Sequence, residues 1–368
     1  MSRFEFALAT AADDAQLRHR MASDWLEGRV SVSFRREPSY FAGCHLQGDR
    51  VQVIKCVDRA TGEIIGLGSR ALKTAWVNGQ ATRLGYLADL RGHPDYRRGS
   101  LLARGYRLLR SLHEQDPVPF YYSIILEGNQ AALGSLVGGR AGLPQYQAAG
   151  RILTPAIHLD LPKPPIRLPG VTLERGTMTR LPAILAFVNR CQSQKQLAPC
   201  YTLADFGTPR LAGLTPQDFY LAIRNNELVG VVAAWDQHRI RQTYIERYAP
   251  PLAQGRSLYN LLATITPLKP LPDPGTAIPY FYLAFVAIAH DDPDIFRYLL
   301  RQVYGDRRLG RWHYFIAGLH EADPLAAVLT EYRRIESAGQ LFIVYYPEGE
   351  AAVRGLDGRV PYVEMAAV

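Results

Sequence analysis

Residues 84–109 have the sequence Leu84-Gly-Tyr-Leu-Ala-Asp-Leu-Arg-Gly-His-Pro-Asp-Tyr-Arg-Arg-Gly-Ser-Leu-Leu-Ala-Arg-Gly-Tyr-Arg-Leu-Leu109. The first part predicts a strand, and Gly99–Glu114 predicts an amphipathic helix with leucines on one face and arginines on the other. The loop between them contains Arg97-Arg98-Gly99. Because the first turn of a helix presents unpaired N–H groups and the positive end of its dipole, this turn predicts an anion-binding site.

The residues on either side predict a sheet flanked by helices. Three upstream strands form an antiparallel meander, and Asn78-Gly79 between the last two is typical of a type I′ hairpin. The upstream elements are a strand over Phe4–Ala9, helices over Ala11–Leu26 and Pro38–Phe41, and strands over Val51–Val57, Ile64–Trp76 and Thr82–Arg91. The downstream elements are a strand over Phe120–Leu126, a helix over Asn129–Val137 and a strand over Arg151–Leu161.

Leu161–Gly170 contains four prolines and predicts a stiff, extended linker. After it the same order of elements repeats, with little residue-by-residue identity. The repeated elements are strands over Val171–Arg175, Phe219–Arg224, Leu228–Trp235, Tyr280–Ile288, Trp312–Gly318, Leu341–Tyr346 and Tyr362–Met365, and helices over Leu181–Gln192, Ser257–Ile265, Asp294–Tyr304 and Pro324–Tyr332. We therefore expect an α/β (α+β) fold of two domains, 1–160 and 171–368, each with a mixed, mostly antiparallel sheet.

This order of elements resembles the GNAT superfamily of N-acetyltransferases. The family signature is a strand ending in Leu-x-Val-x-Pro, followed by Arg/Gln-x-x-Gly-x-Gly/Ala at a helix start. Leu90, Gly92 and Pro94 match the strand end, and 97–101 match the loop in part. The loop is one residue shorter than usual, and Leu101 stands where the family has a second small residue.

The resemblance implies that the protein uses acetyl-CoA, or another acyl-CoA, as co-substrate and requires no metal. It implies three sets of contacts: the N–H groups of Arg97, Arg98, Gly99, Ser100 and Leu101 with the pyrophosphate, the strand end Leu90, Arg91 and Gly92 with the acyl carbonyl, and Asn129 with the pantetheine arm. The expected reaction transfers an acyl group to a primary amine on a small molecule or peptide.

The catalytic residues are less well defined by the sequence. The tyrosine that family members use as an acid is replaced by Leu136. Tyr121 and Tyr122, on the strand beside the expected thioester, could substitute or could be core residues. Asp89 is the first candidate for the base, with Glu127 and His93 as further candidates, although Asp89 could also simply pair with an arginine.

The second half differs from the first at the corresponding helix start, which is Ala289-His-Asp-Asp-Pro-Asp294. Carboxylates at a helix start stabilise the helix but repel a pyrophosphate. We therefore expect the second half to bind no coenzyme A and to shape the acceptor groove of the first. A metal site at His290, Asp291 and Asp292 is the less favoured interpretation, since an N-cap cluster explains these residues.

Composition narrows the partners and the compartment. Hydrophobic residues make up 48% of the 368 residues and the net charge is +8, which suits a folded protein with a phosphorylated ligand. The basic residues form no long tract, so nucleic acid is not an expected partner. The longest apolar run falls short of the roughly 20 residues that span a bilayer, and the four scattered cysteines suit a reducing compartment. We expect a cytoplasmic protein without a membrane partner.

Two alternatives remain open at this point. The protein could be a non-catalytic module that binds acyl-CoA, as the missing tyrosine suggests. It could also be a tandem transferase that takes its acyl group from aminoacyl-tRNA, in which case binding should weaken steeply with salt.

Overall fold

The computed structural model describes residues 2–96, 100–138 and 142–368. The helices in these ranges are α1 (Asp14–Ser23), α2 (Tyr40–Cys44), α3 (Leu101–Gln115), α4 (Gln130–Leu136), α5 (Leu181–Gln192), α6 (Pro250–Ala263), α7 (Pro293–Arg308), α8 (Ala326–Leu329) and α9 (Glu350–Arg354). The strands are β1 (Phe4–Leu8), β2 (Val30–Arg35), β3 (Arg50–Asp58), β4 (Glu63–Val77), β5 (Gln80–Gly92), β6 (Tyr121–Leu126), β7 (Gln145–Leu153), β8 (Ala156–His158), β9 (Val171–Arg175), β10 (Phe219–Arg224), β11 (Glu227–Trp235), β12 (Gln242–Tyr248), β13 (Tyr280–Ile288), β14 (Tyr314–Ala317), β15 (Leu319–His320), β16 (Arg334–Ile335) and β17 (Ala338–Tyr345).

These strands form two large mixed sheets. The first has the order β1-β3-β4-β5-β6-β17-β7-β15, and the second has the order β16-β8-β14-β13-β11-β10-β9. Most neighbours are antiparallel, but β5–β6 and β13–β14 are parallel. The predicted Asn78-Gly79 hairpin joins β4 to β5, with φ of 51° and 78° at its two residues. A small sheet of β2 and β12 joins the two halves, because each half supplies one strand.

The two sheets exchange strands, which the sequence did not predict. Strand β17 lies between β6 and β7 in the first sheet, so the prediction that Leu341–Tyr346 closes the second sheet is wrong. The predicted strand Arg151–Leu161 is two strands, β7 in the first sheet and β8 in the second. Pro155 separates them because it has no N–H to continue a ladder. The division into domains at residues 161–170 stays a prediction. The strands on either side of it are not confined to one sheet each, since β15 and β17 join the first sheet and β8 joins the second.

One long helix covers a face of each sheet. Helix α3 buries Tyr106, Leu109 and Leu112 against the first sheet, and α7 buries an apolar stripe that includes Leu299 and Val303 against the second. The predicted linker is extended but is not a free spacer. Its Ile166 and Leu168 pack on the second core.

Residues 362–365 also differ from the prediction. The sequence predicted a closing strand at Tyr362–Met365, whereas Met365–Ala367 forms a short 3₁₀ helix. Tyr362, Val363 and Glu364 are buried, and hydrogen bonds from the backbone of β13 to the Tyr362 and Glu364 side chains take the place of a strand ladder.

Candidate functional site

The parallel strands β5 and β6 separate to form a wedge in the first sheet, which we call the first wedge. They pair at Gly85–Tyr121 and Tyr86–Tyr122 and then diverge. Gly85 is required at the point of closest approach, because an added Cβ would lie 1.9 Å from a ring carbon of Tyr121. Beyond it, the Ser123 hydroxyl donates to the Leu87 carbonyl at 2.9 Å and bridges the base of the wedge. The free edges beyond this bridge can receive a ligand between two strands.

A β-bulge deforms β5 inside the wedge. The two residue steps from Leu67 to Ser69 on β4 lie opposite three steps, from Arg91 to Ala88, on β5. Within these three steps Asp89 has a φ of 55°. Non-glycine residues in this left-handed conformation are uncommon and cluster at functional sites. The bulge redirects the backbone at Leu90, whose side chain is 46% exposed. It therefore presents the predicted acyl-binding strand end to solvent.

The carboxylate of Asp89 is held by two side chains that the sequence did not single out. Arg36 Nη2 lies 2.6 Å from Asp89 Oδ2, and the Tyr40 hydroxyl donates to the same oxygen at 3.1 Å. Arg36 also donates to Cys44 Sγ at 2.7 Å. Of the two interpretations offered by the sequence, pairing with an arginine is the one seen here.

Burial and charge set the protonation of this cluster. Burial opposes the charged form of Arg36, but the charge of Asp89 holds the pKa of the guanidinium above its ordinary value. Burial raises the pKa of Tyr40 well above its ordinary value and that of Cys44 to about 11. The tyrosine and the thiol therefore stay protonated at neutral pH beside the bulge.

A buried lysine lies close to the first wedge. Lys73, on β4, is 3% exposed, and its Nζ lies 5.4 Å and 5.3 Å from the ring centroids of Tyr86 and Tyr122, which stack at 4.8 Å. Its ammonium donates to the Ala367 carbonyl at 3.3 Å. Burial and, next, the positive charge of Arg210 lower the pKa of Lys73 to about 7. The sequence Ala71-Leu-Lys-Thr-Ala-Trp76 could have identified this residue, because it places a lysine inside a largely apolar strand and lysine is rarely buried.

The turn into α3 lies partly outside the described residues, as Arg97, Arg98 and Gly99 are not among them. Ser100 is the N-cap of α3 and Leu101 is its first residue, so the helix begins where the sequence placed the anion site. Farther along α3, Arg104 donates to the Phe4 carbonyl at 2.7 Å, which fixes the helix to the edge strand β1.

The structure places the predicted tyrosines in the core on opposite faces of β6. The Tyr121 hydroxyl faces α3, 2.8 Å from His113 Nδ1 and 3.0 Å from Arg70 Nε, which donates to it. Tyr122 packs with Tyr86 on the other face. Burial raises the pKa of both hydroxyls. The geometry favours core roles for the pair, and their use as acids stays a prediction.

The remaining predicted residues lie around the wedge rather than together. Glu127 is half-exposed at the end of β6 and forms a short ion pair with Arg151. Asn129 is the N-cap of α4, where its side-chain oxygen accepts from the Ala132 N–H at 3.1 Å. Arg91 is partly buried with no partner found for its Nε among the described residues. His93 Nδ1 accepts from the Asp95 N–H at 3.3 Å, and Gly92 ends β5.

The second half contacts the segment that contains Arg36 and Glu37. Strand β12 pairs with β2, which leads directly into Arg36, and Gln242 bonds both backbone groups of Glu37. From the same region the Arg241 guanidinium lies 5.7 Å from the ring centroid of Tyr282. After burial and Asp89, the charge of Arg241 is among the influences on the pKa of Tyr86. Arg36 and Arg241, from different halves, thus both favour the ionised form of this buried tyrosine, against the stronger effect of burial.

The parallel strands β13 and β14 form a second wedge with the same design. They pair as far as Leu283–Ala317, and β13 then bulges at Phe285, whose φ is 54°. This wedge is occupied by the chain itself, because Glu364 Oε2 accepts from the Phe285 N–H at 2.7 Å. At the helix start, the Asp292 carboxylate accepts from the N–H groups of Asp294 and Ile295.

The described residues offer neither a metal cluster nor a membrane-spanning helix. Within residues 2–96, 100–138 and 142–368, no group of three His, Cys, Asp or Glu side chains could hold a metal ion. None of the helices described above is both long and apolar enough to span a bilayer.

Comparison with known proteins shows the fold. No protein-family model matches the sequence, and no curated protein matches it. The N-myristoyltransferase of Saccharomyces cerevisiae with bound myristoyl-CoA superposes with a TM-score of 0.60 at 11% identity, over 94% of this chain and 80% of that chain. A GCN5-related N-acetyltransferase from Sphaerobacter thermophilus superposes with a TM-score of 0.55 at 12% identity, over 100% and 99%. One from Anabaena variabilis gives 0.51 at 12% identity, over 93% and 72%. The predicted GNAT-type mixed α/β fold is confirmed.

Proposed function

We propose that the protein is an acyl-CoA-dependent N-acyltransferase whose donor binds in the first wedge. The observation that carries this proposal is the divergence of β5 and β6 beside a strained bulge at Asp89, directly ahead of the N-terminus of α3. A free strand edge can bind the amide groups of a pantetheine arm, and a helix start can bind a pyrophosphate.

The donor contacts follow from this placement. The N–H groups of residues 97–101 would bind the pyrophosphate, the edge at residues 90–92 would hold the acyl carbonyl, and Asn129 would contact the pantetheine arm. Acetyl is the acyl group we propose, on the resemblance to N-acetyltransferases. The four cysteines are free thiols, which supports a cytoplasmic protein.

The reaction needs an amine and a thioester brought together. The neutral amine attacks the thioester carbonyl carbon, a C–N bond forms, the C–S bond breaks, and the coenzyme A thiolate leaves. The proton lost by nitrogen passes to solvent by way of the Asp89 carboxylate, which Arg36 and Tyr40 hold in position. An ordinary thiol has a pKa of about 8.5, so the thiolate leaves without an obligatory tyrosine acid.

The Asp89 carboxylate is already ion-paired with Arg36. We propose that its main task is to receive the substrate ammonium and orient the amine. Glu127 is ion-paired at the wedge mouth and is the weaker candidate. We propose that the second half supplies the acceptor wall through Arg241 and Tyr282. The acceptor we propose is a small-molecule or peptide amine.

Isothermal titration of acetyl-CoA, with a thiol-release assay on a panel of glycyl peptides, spermidine and glucosamine, tests the proposal. We expect one acetyl-CoA per chain and thiol release that depends on one class of amine. Titrations with longer acyl-CoAs decide the chain length. Binding without turnover would instead identify a regulatory module, and salt-sensitive binding of tRNA without binding of acetyl-CoA would identify an aminoacyl-tRNA-dependent transferase.

A further inference from the structure

Residues 362–364 fill the second wedge with hydrogen-bond acceptors. Glu364 is 2% exposed, and its Oε2 accepts from the Phe285 N–H at 2.7 Å and from the Tyr362 hydroxyl at 2.9 Å. The Tyr362 hydroxyl in turn accepts from the Val286 N–H at 3.2 Å. A carboxylate accepts hydrogen bonds only, so it matches a site where donors converge. Two backbone amides of the bulge are satisfied in this way.

The same segment also contacts the other strand of the second wedge. Met365 packs on Gly318, which follows β14, so closely that an added Cβ on Gly318 would lie 1.9 Å from Met365 Cγ. The segment therefore touches both diverging strands.

The next residues reach the first half. The Ala366 carbonyl accepts from Gln237 Nε2 at 2.7 Å and from Arg241 Nη1 at 3.1 Å, and the Ala367 carbonyl accepts from Lys73 Nζ. Arg241 belongs to the proposed acceptor wall, and Lys73 lies against Tyr86 next to the first wedge. One continuous stretch of backbone thus joins the filled second wedge to the basic side chains of the groove.

We propose that Glu364 is a positioning residue for acyl transfer: it pins residues 362–368 in the second wedge, so that the carbonyls of Ala366 and Ala367 hold Arg241 and Lys73 beside the acceptor. This inference rests on the proposed function. It gives the second half a task that needs no ligand of its own. Replacement of the carboxylate should loosen the acceptor wall and leave the donor site, which lies on β5, β6 and α3, intact.

The test compares Glu364→Ala and Glu364→Gln with the wild type. We expect Glu364→Ala to raise the acceptor KM at least tenfold, measured with the amine that turns over fastest in the panel, while the Kd of acetyl-CoA changes less than twofold. Glu364→Gln keeps an acceptor oxygen and should recover most of the loss. The matched control is Asp160→Asn, since Asp160 is equally buried but bonds Arg333 and the Leu161 N–H.

Amide hydrogen exchange of residues 284–288 and 362–368 measures, independently of activity, whether Glu364 holds residues 362–368 in the second wedge. We expect exchange at least tenfold faster in both segments for Glu364→Ala and unchanged exchange for Asp160→Asn. Unchanged exchange in Glu364→Ala would contradict the proposal that Glu364 fixes residues 362–368 in the second wedge. An unchanged acceptor KM, or an acetyl-CoA Kd that changes in parallel with it, would overturn the positioning role. A wild type that neither binds nor turns over acetyl-CoA would overturn the proposed function instead, and the exchange result would still decide whether Glu364 holds the segment.

Discussion

The first and second wedges have the same backbone design but different contents. In both, a parallel strand pair diverges, and a non-glycine residue with φ near 55° forms a bulge two or three residues after the last pair. The first bulge residue is Asp89, paired with an arginine, and Leu90 beside it is exposed. The second is Phe285, buried in apolar contacts under an internal carboxylate. The second wedge therefore differs from the first in that the chain itself supplies the hydrogen-bond acceptor at the bulge.

The N-termini of α3 and α7 also differ, because among the described residues the chain supplies its own acceptor only at α7. Arginines precede α3, whereas Asp292 already occupies the first N–H groups of α7. A carboxylate at that position leaves neither the charge nor the donors that a pyrophosphate needs. This supports the expectation that the second half binds no coenzyme A, which the titration stoichiometry tests.

The largest expected effect concerns Lys73, which lies beside the first wedge. The pKa of Lys73 is about 7 in the folded protein against 10.5 as a model value. The unfolded chain therefore binds more protons between these pH values, and stability rises as pH increases through that window. Below pH 7 the buried ammonium costs about 5 kcal/mol, from roughly 1.4 kcal/mol for each unit between 10.5 and about 7. Lys73→Met should raise the free energy of unfolding by that amount at pH 6.

Chemical denaturation at pH 6 and pH 9 checks this prediction. The advantage of Lys73→Met should shrink steadily towards pH 9. Glu364 provides the contrast, since burial raises the pKa of its carboxyl and its ionised form is the costly one. Glu364→Gln should therefore gain stability relative to the wild type as pH rises above 4.5. Parallel rather than opposite trends for the two variants would contradict the assignment.

The second effect concerns the ion pair at the first bulge. Asp89→Asn leaves the Arg36 guanidinium buried without its counter-charge, which should cost about 3 kcal/mol of stability. Turnover should fall about a hundredfold, because the amine is no longer oriented. Phe285→Leu, at the equivalent bulge, is the control and should leave kcat unchanged while lowering the melting temperature slightly. Equal losses of kcat in both variants would mean that the bulges do not differ in function.

The local elements of this site could be predicted from the sequence, whereas the contacts between them could not. The Asn78-Gly79 pair locates the hairpin between β4 and β5, and the change in the spacing of apolar residues from every second to every third or fourth locates α3. Both signals lie within a few residues of the element that they indicate. The bulge at Asp89 depends on its pairing with β4, and the partners Arg36 and Tyr40 lie about 50 residues away along the chain. The strand exchange of β17 is a non-local choice among apolar strands of similar composition, which the pattern of Leu341–Tyr346 alone does not distinguish.

The third effect concerns the junction where the first wedge opens. Gly85→Ala places a methyl group inside the Tyr121 ring and should cost about 2 kcal/mol through overpacking. Because β5 and β6 would separate earlier, the Kd of acetyl-CoA should rise severalfold. Gly255→Ala in α6, where no atom lies within 4 Å of the added Cβ, is the control and should neither lower stability nor change that affinity. A stable Gly85→Ala protein with wild-type affinity would show that the junction does not shape the donor site.

The smallest effect separates the two helix starts. Replacement of Arg97 and Arg98 together by alanine should weaken acetyl-CoA binding about tenfold, or roughly 1.4 kcal/mol, without lowering the melting temperature. Asp292→Ala removes the N-cap of α7 and should cost about 1 kcal/mol of stability without changing that affinity. Titration calorimetry and thermal denaturation of both variants check the pair. If the arginine variant bound acetyl-CoA as tightly as the wild type, the diphosphate would not lie at the turn into α3, and the donor would have to enter the wedge from another side.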